Sequence, residues 1–302
     1  MTSWLFFALL GPLCWAAGNV FDSALRRNYI HSDHAMMWLL GLSHLPLVLG
    51  IVAVKGFTMP PLGALWWMLC IGCMWVGGFF SYFKAMEYED PSHVALFMQS
   101  TPLFTLLIAV IFLHERLGIT HGGGFLLILI GGFLASIRPS AEKWHLSKAL
   151  PLMVATSLTW AFSDVFYKYL SPEFSTFWDA FLVFSFGGFI FVLLTPLFRS
   201  KNAPPLTHYL RDLPRRAWIF LIISMCTNTL GSLAFAYALT LGKASLAAVI
   251  IGVQPLFTFS YGLILGQFLP DISPEDTRTR TLLLKGFAFA TIVGGLSLLS
   301  TT

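Results

Sequence analysis

The stretch Pro102-Leu-Phe-Thr105 recurs unchanged as Pro255-Leu-Phe-Thr258, 153 residues further along the chain. Each copy lies inside a long apolar run, and the run Val94–Leu113 approaches the roughly 20 residues that cross a bilayer as a helix. Since no water is available at that depth to satisfy the backbone amides, such a run must be helical. A proline-bearing apolar helix that occurs twice therefore predicts a duplicated, helical membrane protein.

Composition supports the same class. Of the 302 residues, 57% are hydrophobic and only 11% are charged, whereas a soluble domain carries about 25% charged residues. Further runs of spanning length occur at Ser3–Leu25, Trp66–Ala85 and Leu282–Leu299, and the alternating pattern of a membrane barrel is missing. We predict an all-α integral membrane protein whose first run is retained as a helix, because it lacks the flanks of a signal peptide.

Several other classes are excluded by what the sequence lacks. Cys70 and Cys73 form a CxxC pair without a second pair or a flanking histidine, so we predict no metal site and no cofactor. The glycine stretches, such as Gly122–Gly124, lack the lysine of a phosphate loop and indicate close helix packing instead. The net charge of +4 comes from basic residues in short loops and predicts no nucleic-acid binding. With no large loop and no catalytic cluster, we expect no enzyme.

The apolar runs and the prolines between them predict ten transmembrane helices. We place these helices at about 3–25, 35–54, 62–85, 92–114, 119–137, 148–170, 177–198, 215–240, 244–268 and 282–300. Prolines fall in most of the gaps, as expected of helix breakers.

The chain also repeats itself beyond the four-residue match. A shift of 145 residues places Trp15 on Trp160 and Asn19 on Asp164, whereas the two Pro-Leu-Phe-Thr copies align at a shift of 153. We therefore divide the chain into two five-helix repeats, residues 1–140 and 145–302. Because five is odd, the two repeats must have opposite orientations, which predicts an inverted repeat around a central cavity.

These motifs resemble the drug/metabolite transporter superfamily, in particular its EamA-like domain. The resemblance rests on Ala95–Thr105, on Glu115 with its flanking residues and on Gly131-Gly132, and the second half repeats it less cleanly. That half retains Gln254-Pro255 but has Gln267 where the family has a glutamate. The resemblance implies a ten-helix basket that works by alternating access, and it implies no particular substrate.

Loop charges predict the orientation in the inner membrane. Loops after odd-numbered helices carry 14 Lys and Arg residues, and loops after even-numbered helices carry 4. The positive-inside rule then places both termini outside the cytoplasm. The family resemblance implies the opposite, cytoplasmic termini.

Ionisable residues within the predicted helices are the first candidates for chemistry, because a charge there is costly without a function or a partner. Asp164 could bind a coupled proton or cation, or pair with Lys168 one turn later. Asp22 could do the same, or pair with Arg26 at the helix end. Asn19 could hold a polar substrate or bridge two helices.

Uncharged polar groups in the spans form a second set. Gln99 and Gln254 lie beside Pro102 and Pro255, where they could satisfy a freed carbonyl or line a polar site. His44 could titrate near neutral pH, or serve as a hydrogen-bonded structural residue.

Aromatic side chains form the third set. Trp15, Trp160 and Tyr237 lie within spans, where they could wall a cavity and bind apolar or cationic ligands, or simply fill space between helices. Glu115 is expected to be structural.

Together these features predict a secondary transporter of a small organic metabolite, ion-coupled or exchanging, with export favoured by family analogy. The expected partners are this substrate, the lipid bilayer and a proton or other coupling ion, for a monomer or a homodimer. A flippase for lipid or lipid-linked carriers is the first alternative, and a non-transporting membrane scaffold is the second.

Overall fold

The computed structural model describes residues 3–85, 88, 97–137, 149–195, 206–211, 213–272 and 277–300. Within these ranges the chain is helical and contains no β-strand. Its helices are α1 (Ser3–Asn28), α2 (Asp33–Leu42), α3 (Leu45–Lys55), α4 (Leu62–Ala85), α5 (Thr101–Phe112), α6 (Ile119–Ser136), α7 (Ala149–Leu170), α8 (Phe177–Leu194), α9 (Leu206–Arg211), α10 (Arg215–Leu241), α11 (Ala244–Ile250), α12 (Gln254–Leu265) and α13 (Thr279–Leu299). Short 3-10 turns, Ser171–Glu173 and Ile251–Val253, follow α7 and α11.

In the described ranges, nine helical stretches are long and apolar enough to cross a membrane. They are Ser3–Asn28, Ala35–Lys55, Leu62–Ala85, Ile119–Ser136, Ala149–Glu173, Phe177–Leu194, Arg215–Leu241, Ala244–Leu265 and Thr279–Leu299. The predicted multi-pass helical membrane protein is confirmed. Helix α5 is apolar but has 12 residues, and residues 92–96 of the helix predicted there lie outside the described part. The count of ten spans therefore stays a prediction.

The helix predicted at 35–54 is divided in two. Helix α2 ends at Leu42 and α3 starts at Leu45, with Ser43 and His44 between them. Pro46 lies in the first turn of α3, where it has no N–H to offer the preceding turn. The prediction of one continuous helix was wrong in this detail.

The two Pro-Leu-Phe-Thr copies also begin new helices. Pro102 lies in the first turn of α5, after a turn at Gln99 and Ser100. Pro255 lies in the first turn of α12, after the 3-10 turn Ile251–Val253. The single helices predicted at 92–114 and 244–268 are thus interrupted just before these prolines, in the part of the chain that the structure describes.

Glycines allow several helices to approach each other closely. A Cβ atom at Gly72 on α4 would overlap the Phe184 carbonyl of α8, and one at Gly187 on α8 would overlap the Leu69 carbonyl. Between α6 and α13, a Cβ at Gly124 would lie 2.9 Å from the carbonyl oxygen of Gly295. Contacts this short admit no larger residue without a shift of the backbone. Close approach was predicted for the stretches that contain Gly124 and Gly295, and the contacts of Gly72 and Gly187 were not predicted.

We expect Gly187→Val to destabilise the fold, because the added side chain would overlap the backbone of α4. Overpacking of this kind costs about 1–3 kcal/mol, which should lower the midpoint of thermal unfolding of the purified protein in detergent. Gly286→Val on α13 is the matched control, since a Cβ there meets nothing within 4 Å. Equal midpoints for the two variants would contradict the close α4–α8 interface.

Candidate functional site

A pocket with a carboxylate in its wall lies between α1, α2 and α10. It has about 220 Å³ of empty space, part of it open to the surroundings. Its lining residues come from all three helices and from the break after α2, and they are Asp22, Met36, Leu39, Leu40, Ser43, Leu221, Ser224, Met225 and Asn228. Of the site residues predicted from the sequence, Asp22 is the one that lines this pocket.

Asp22 is held by two donors on the facing helix. The Ser224 hydroxyl donates to Asp22 Oδ1, and Asn228 Nδ2 donates to Oδ2 at 3.1 Å. The same amide lies 3.1 Å from Ser224 Oγ, one turn away on α10. The guanidinium of Arg26 lies over the Phe83 ring, 5.8 Å from its centroid. Within the described residues, the hydrogen bonds of the Asp22 carboxylate therefore run across the α1–α10 interface to Ser224 and Asn228.

The break in the second span is fixed to the same wall. Thr229 Oγ1 on α10 donates to the Ser43 carbonyl at 2.9 Å, and Ser43 Oγ donates to the Leu40 carbonyl at 2.6 Å. His44 is buried beside this point, with its ring edge-on to Trp75 and Phe181. Helix α2 thus ends at the pocket with its last turn in the lining.

Asp164 is the second acid on a predicted span, and it is 7% exposed in the C-terminal third of α7. Within the described part of the chain, its carboxylate forms no hydrogen bond or ion pair. Lys168 does not pair with it, because the ammonium donates to the carbonyls of Leu239, at 2.8 Å, and Gly242 at the end of α10. The alternative of an Asp164–Lys168 pair is therefore wrong.

Both tryptophans expected to wall a cavity are packed against glycines. A Cβ at Gly231 on α10 would lie 2.7 Å from Trp15 Cδ1, and a Cβ at Gly78 on α4 would lie 2.5 Å from Trp160 Nε1. Trp160 Nε1 also donates to the Trp75 carbonyl at 3.0 Å. Each indole thus fills the gap left by a glycine on a neighbouring helix.

Gln99 is buried where the two proline-bearing spans meet. Its Nε2 lies 3.4 Å from Ser136 Oγ, and a Cβ at Gly252 would lie 3.2 Å from its Oε1. Gln254 is half-buried at the start of α12. These positions favour a packing role for the amide of Gln99.

Two further predicted residues are Asn19 on α1 and Tyr237 on α10. Asn19 is half-buried on α1, one turn before Asp22. Tyr237 on α10 packs edge-on against Phe7 and Phe177, with ring centroids 4.7 and 5.0 Å away. Neither side chain lines the Asp22 pocket.

Glu115 caps a helix. Its carboxylate accepts from the backbone N–H groups of Ala244, at 2.7 Å, and Ser245, at 3.2 Å, and from the Ser245 hydroxyl at 2.6 Å. These donors form the first turn of α11, where a negative charge is favoured. The expected structural role of Glu115 is consistent with this arrangement.

Ser224 was missed by the sequence analysis. A signal was present, because Ser224 and Asn228 are spaced by one helical turn within an apolar run and so share a face of α10. Which helix that face meets could not be derived from this spacing.

We expect Glu115→Ala to lower the midpoint of thermal unfolding, since three buried donors would lose their acceptor. Each unsatisfied buried group costs about 1–3 kcal/mol. Gln267→Ala is the matched control, because Gln267 is exposed at the position where the second half has no glutamate. A Glu115→Ala protein as stable as the Gln267→Ala protein would contradict the capping role.

Comparison with known proteins agrees with the multi-pass helical membrane fold described above. The profile of the EamA-like transporter family matches residues 2–137 and 147–270. A Haemophilus influenzae protein named "Uncharacterized transporter" is 24% identical over 209 residues, which cover 68% of this chain and 65% of that protein. The chain thus spans just under two thirds of this relative's length. A solved crystal structure, 16% identical, matches with a TM-score of 0.74 over 99% of both chains, a likeness that concerns the fold alone.

Proposed function

Because the chain belongs to the EamA-like transporter family, we propose that it is a secondary transporter of a small organic metabolite in the inner membrane. The sequence contains no phosphate-binding loop of an ATPase, so the energy would come from an ion gradient, from exchange or from the substrate gradient. Export is the proposed direction, by analogy with the family.

A duplicated contact supports two inverted repeats. Trp15 packs on Gly231 between α1 and α10, and Trp160 packs on Gly78 between α7 and α4. The shifts that align the sequence halves relate these pairs, because 15 and 160 differ by 145 and 78 and 231 differ by 153. One interaction that occurs twice, with the helices exchanged, is what an inverted duplication would produce.

Alternating access is supported by a difference in packing between two pairs of helices that the repeat makes equivalent, α8 with α4 and α2 with α10. Helix α8 of the second half packs along α4 through Gly72 and Gly187. Its counterpart α2 makes much less contact with α10, and the Asp22 pocket lies between them. If the halves exchange conformations, α2 closes on α10 while α8 leaves α4. This exchange opens the central path to each side in turn.

We propose that Asp164 carries a coupling charge. It lies on a membrane-spanning helix without a partner in the described chain, and an intramembrane acid of this kind marks an ion or proton path. Asn19 is its counterpart in α1 by the repeat, so the two polar groups would face the same path. Trp15, Trp160 and Gln99 would support that path through their packing, with Tyr237 and Gln254 at its borders.

The first test is a thermal-stability screen of the purified protein against a metabolite library. A ligand that binds only the folded state stabilises it, by about 2.7 kcal/mol at a hundred times its Kd. Hits are then assayed for flux into proteoliposomes. We expect Asp164→Asn to reduce gradient-driven accumulation at least tenfold, because the amide cannot carry the charge.

Glu173→Gln is the matched control for this flux assay, since Glu173 is exposed in the turn after α7. Equal flux in the Asp164→Asn and Glu173→Gln proteins would contradict a coupling role for Asp164. Absence of flux for every metabolite, together with movement of labelled lipid between leaflets, would replace the proposal by the flippase.

The orientation is tested by fusions to the C-terminus in a bacterial host. The excess of basic residues in loops after odd-numbered helices leads us to expect both termini outside the cytoplasm. Alkaline phosphatase fused after Thr302 should then be active, and green fluorescent protein at the same point should be dark. The reverse pair of results would place the C-terminus in the cytoplasm and contradict this orientation.

A further inference from the structure

The polar cluster at Asp22 has no equivalent in the other half of the protein. The shift of 145 residues places Tyr167 opposite Asp22, and the shift of 153 places Ile71 and Trp75 opposite Ser224 and Asn228. The carboxylate, hydroxyl and amide of one interface are thus replaced by an aliphatic and two aromatic side chains. Helix packing alone does not require the polar set, because the equivalent α4–α7 interface forms without it.

The size of the pocket favours a small occupant. The empty space of about 220 Å³ includes open surroundings, and about 10 Å³ of it can hold the centre of a water-sized particle, roughly what one buried water needs. The side chains of its five other lining residues, leucines and methionines, offer no oxygen. A single ion fits this space, and an organic metabolite does not.

The electrostatics favour a cation. The Asp22 carboxylate lies in the wall, and the last turn of α2 contributes Leu39 and Leu40, followed by Ser43. A helix C-terminus carries a partial negative charge, and at this end the Leu40 and Ser43 carbonyls also accept hydrogen bonds from Ser43 and Thr229. Interrupted helices in membrane transporters use such ends to coordinate Na⁺.

The atoms that line the pocket narrow the choice of cation further. The polar side chains that line the pocket offer oxygen atoms, from Asp22, Ser43, Ser224 and Asn228, and oxygen ligands suit hard cations. One carboxylate balances one positive charge, whereas a divalent ion there would leave a buried charge uncompensated.

We propose that Asp22, Ser224 and Asn228, together with the end of α2, bind a monovalent metal cation of the size of Na⁺. On binding, the hydroxyl and the amide turn from donating to Asp22 to presenting their oxygens to the ion. If the proposed function holds, this cation is a coupling ion, because the movement of α2 against α10 assembles and opens its site.

The test is direct binding of ²²Na⁺ to the purified protein, measured by scintillation proximity without any metabolite. We expect saturable binding that unlabelled NaCl displaces and equimolar choline chloride does not. Asp22→Asn should weaken the binding at least tenfold, and Ser224→Ala should weaken it less. The second variant keeps the test decisive if the first fails to fold.

Asp271→Asn is the matched control, because Asp271 is bound by Arg216 at 2.9 Å and by Tyr29 at 3.1 Å, outside the pocket. It should leave ²²Na⁺ binding unchanged. No saturable binding, or equal affinities in Asp22→Asn and Asp271→Asn, would overturn the site and leave the proton as the coupling ion.

The proposed transport and the proposed cation site are tested independently of each other. A protein that transports a metabolite but binds no ²²Na⁺ overturns the cation site and not the transporter. A protein that binds ²²Na⁺ through Asp22 but moves no metabolite overturns the transport and the coupling, while the binding site stands.

Discussion

In the hydrocarbon interior every backbone N–H and C=O must find a partner within the protein, and this constraint decides where the chain can leave the helix. Where a helix is interrupted inside a span, the freed backbone groups face neighbouring helices of the protein. At the first break, Ser43 receives a hydrogen bond from Thr229. At the second, Ser100 Oγ bonds the Phe97 carbonyl and approaches Ser157 on α7. The third, at Gly252, lies against α6. The irregular backbone at these three points thus lies in the interior of the protein, where its polar groups find partners.

Charged side chains near the spans supply partners for the backbone groups that are left over at helix ends. Glu115 neutralises the start of α11, while Lys168 and Lys285 donate to carbonyls at the ends of α10 and α6. Each of these charges complements the dipole of the helix that it meets. Asp22 and Asp164 serve no helix end in this way, and that contrast sets them apart as functional candidates.

Most of the helical spans could be predicted because their signal is local. An apolar run of the right length and the prolines between runs are visible in any window of the sequence. The division of the second span at Pro46 was missed because a proline in the first turn of a helix looks the same in sequence as one inside it. The amphipathic pattern could not help, since the residues on both sides are almost all apolar.

The candidate site was less accessible to prediction. Asp22 was recognised as a costly intramembrane charge, but its partners Ser224 and Asn228 follow 202 and 206 residues later. No local pattern says which helices will meet. The side chain of Lys168 is long enough to reach several acceptors, so its turn toward α10 and away from Asp164 depended on where α10 ends.

The contact of Gln99 with Gly252 has a consequence for substitutions at two distant positions. These positions differ by 153, the shift that aligns the two Pro-Leu-Phe-Thr copies, and a Cβ at Gly252 would lie 3.2 Å from Gln99 Oε1. Because this crossing has room for one large side chain, a glutamine at both positions would collide. A larger residue at position 252 therefore requires a smaller one at position 99, which makes the two positions depend on each other across half the length of the chain.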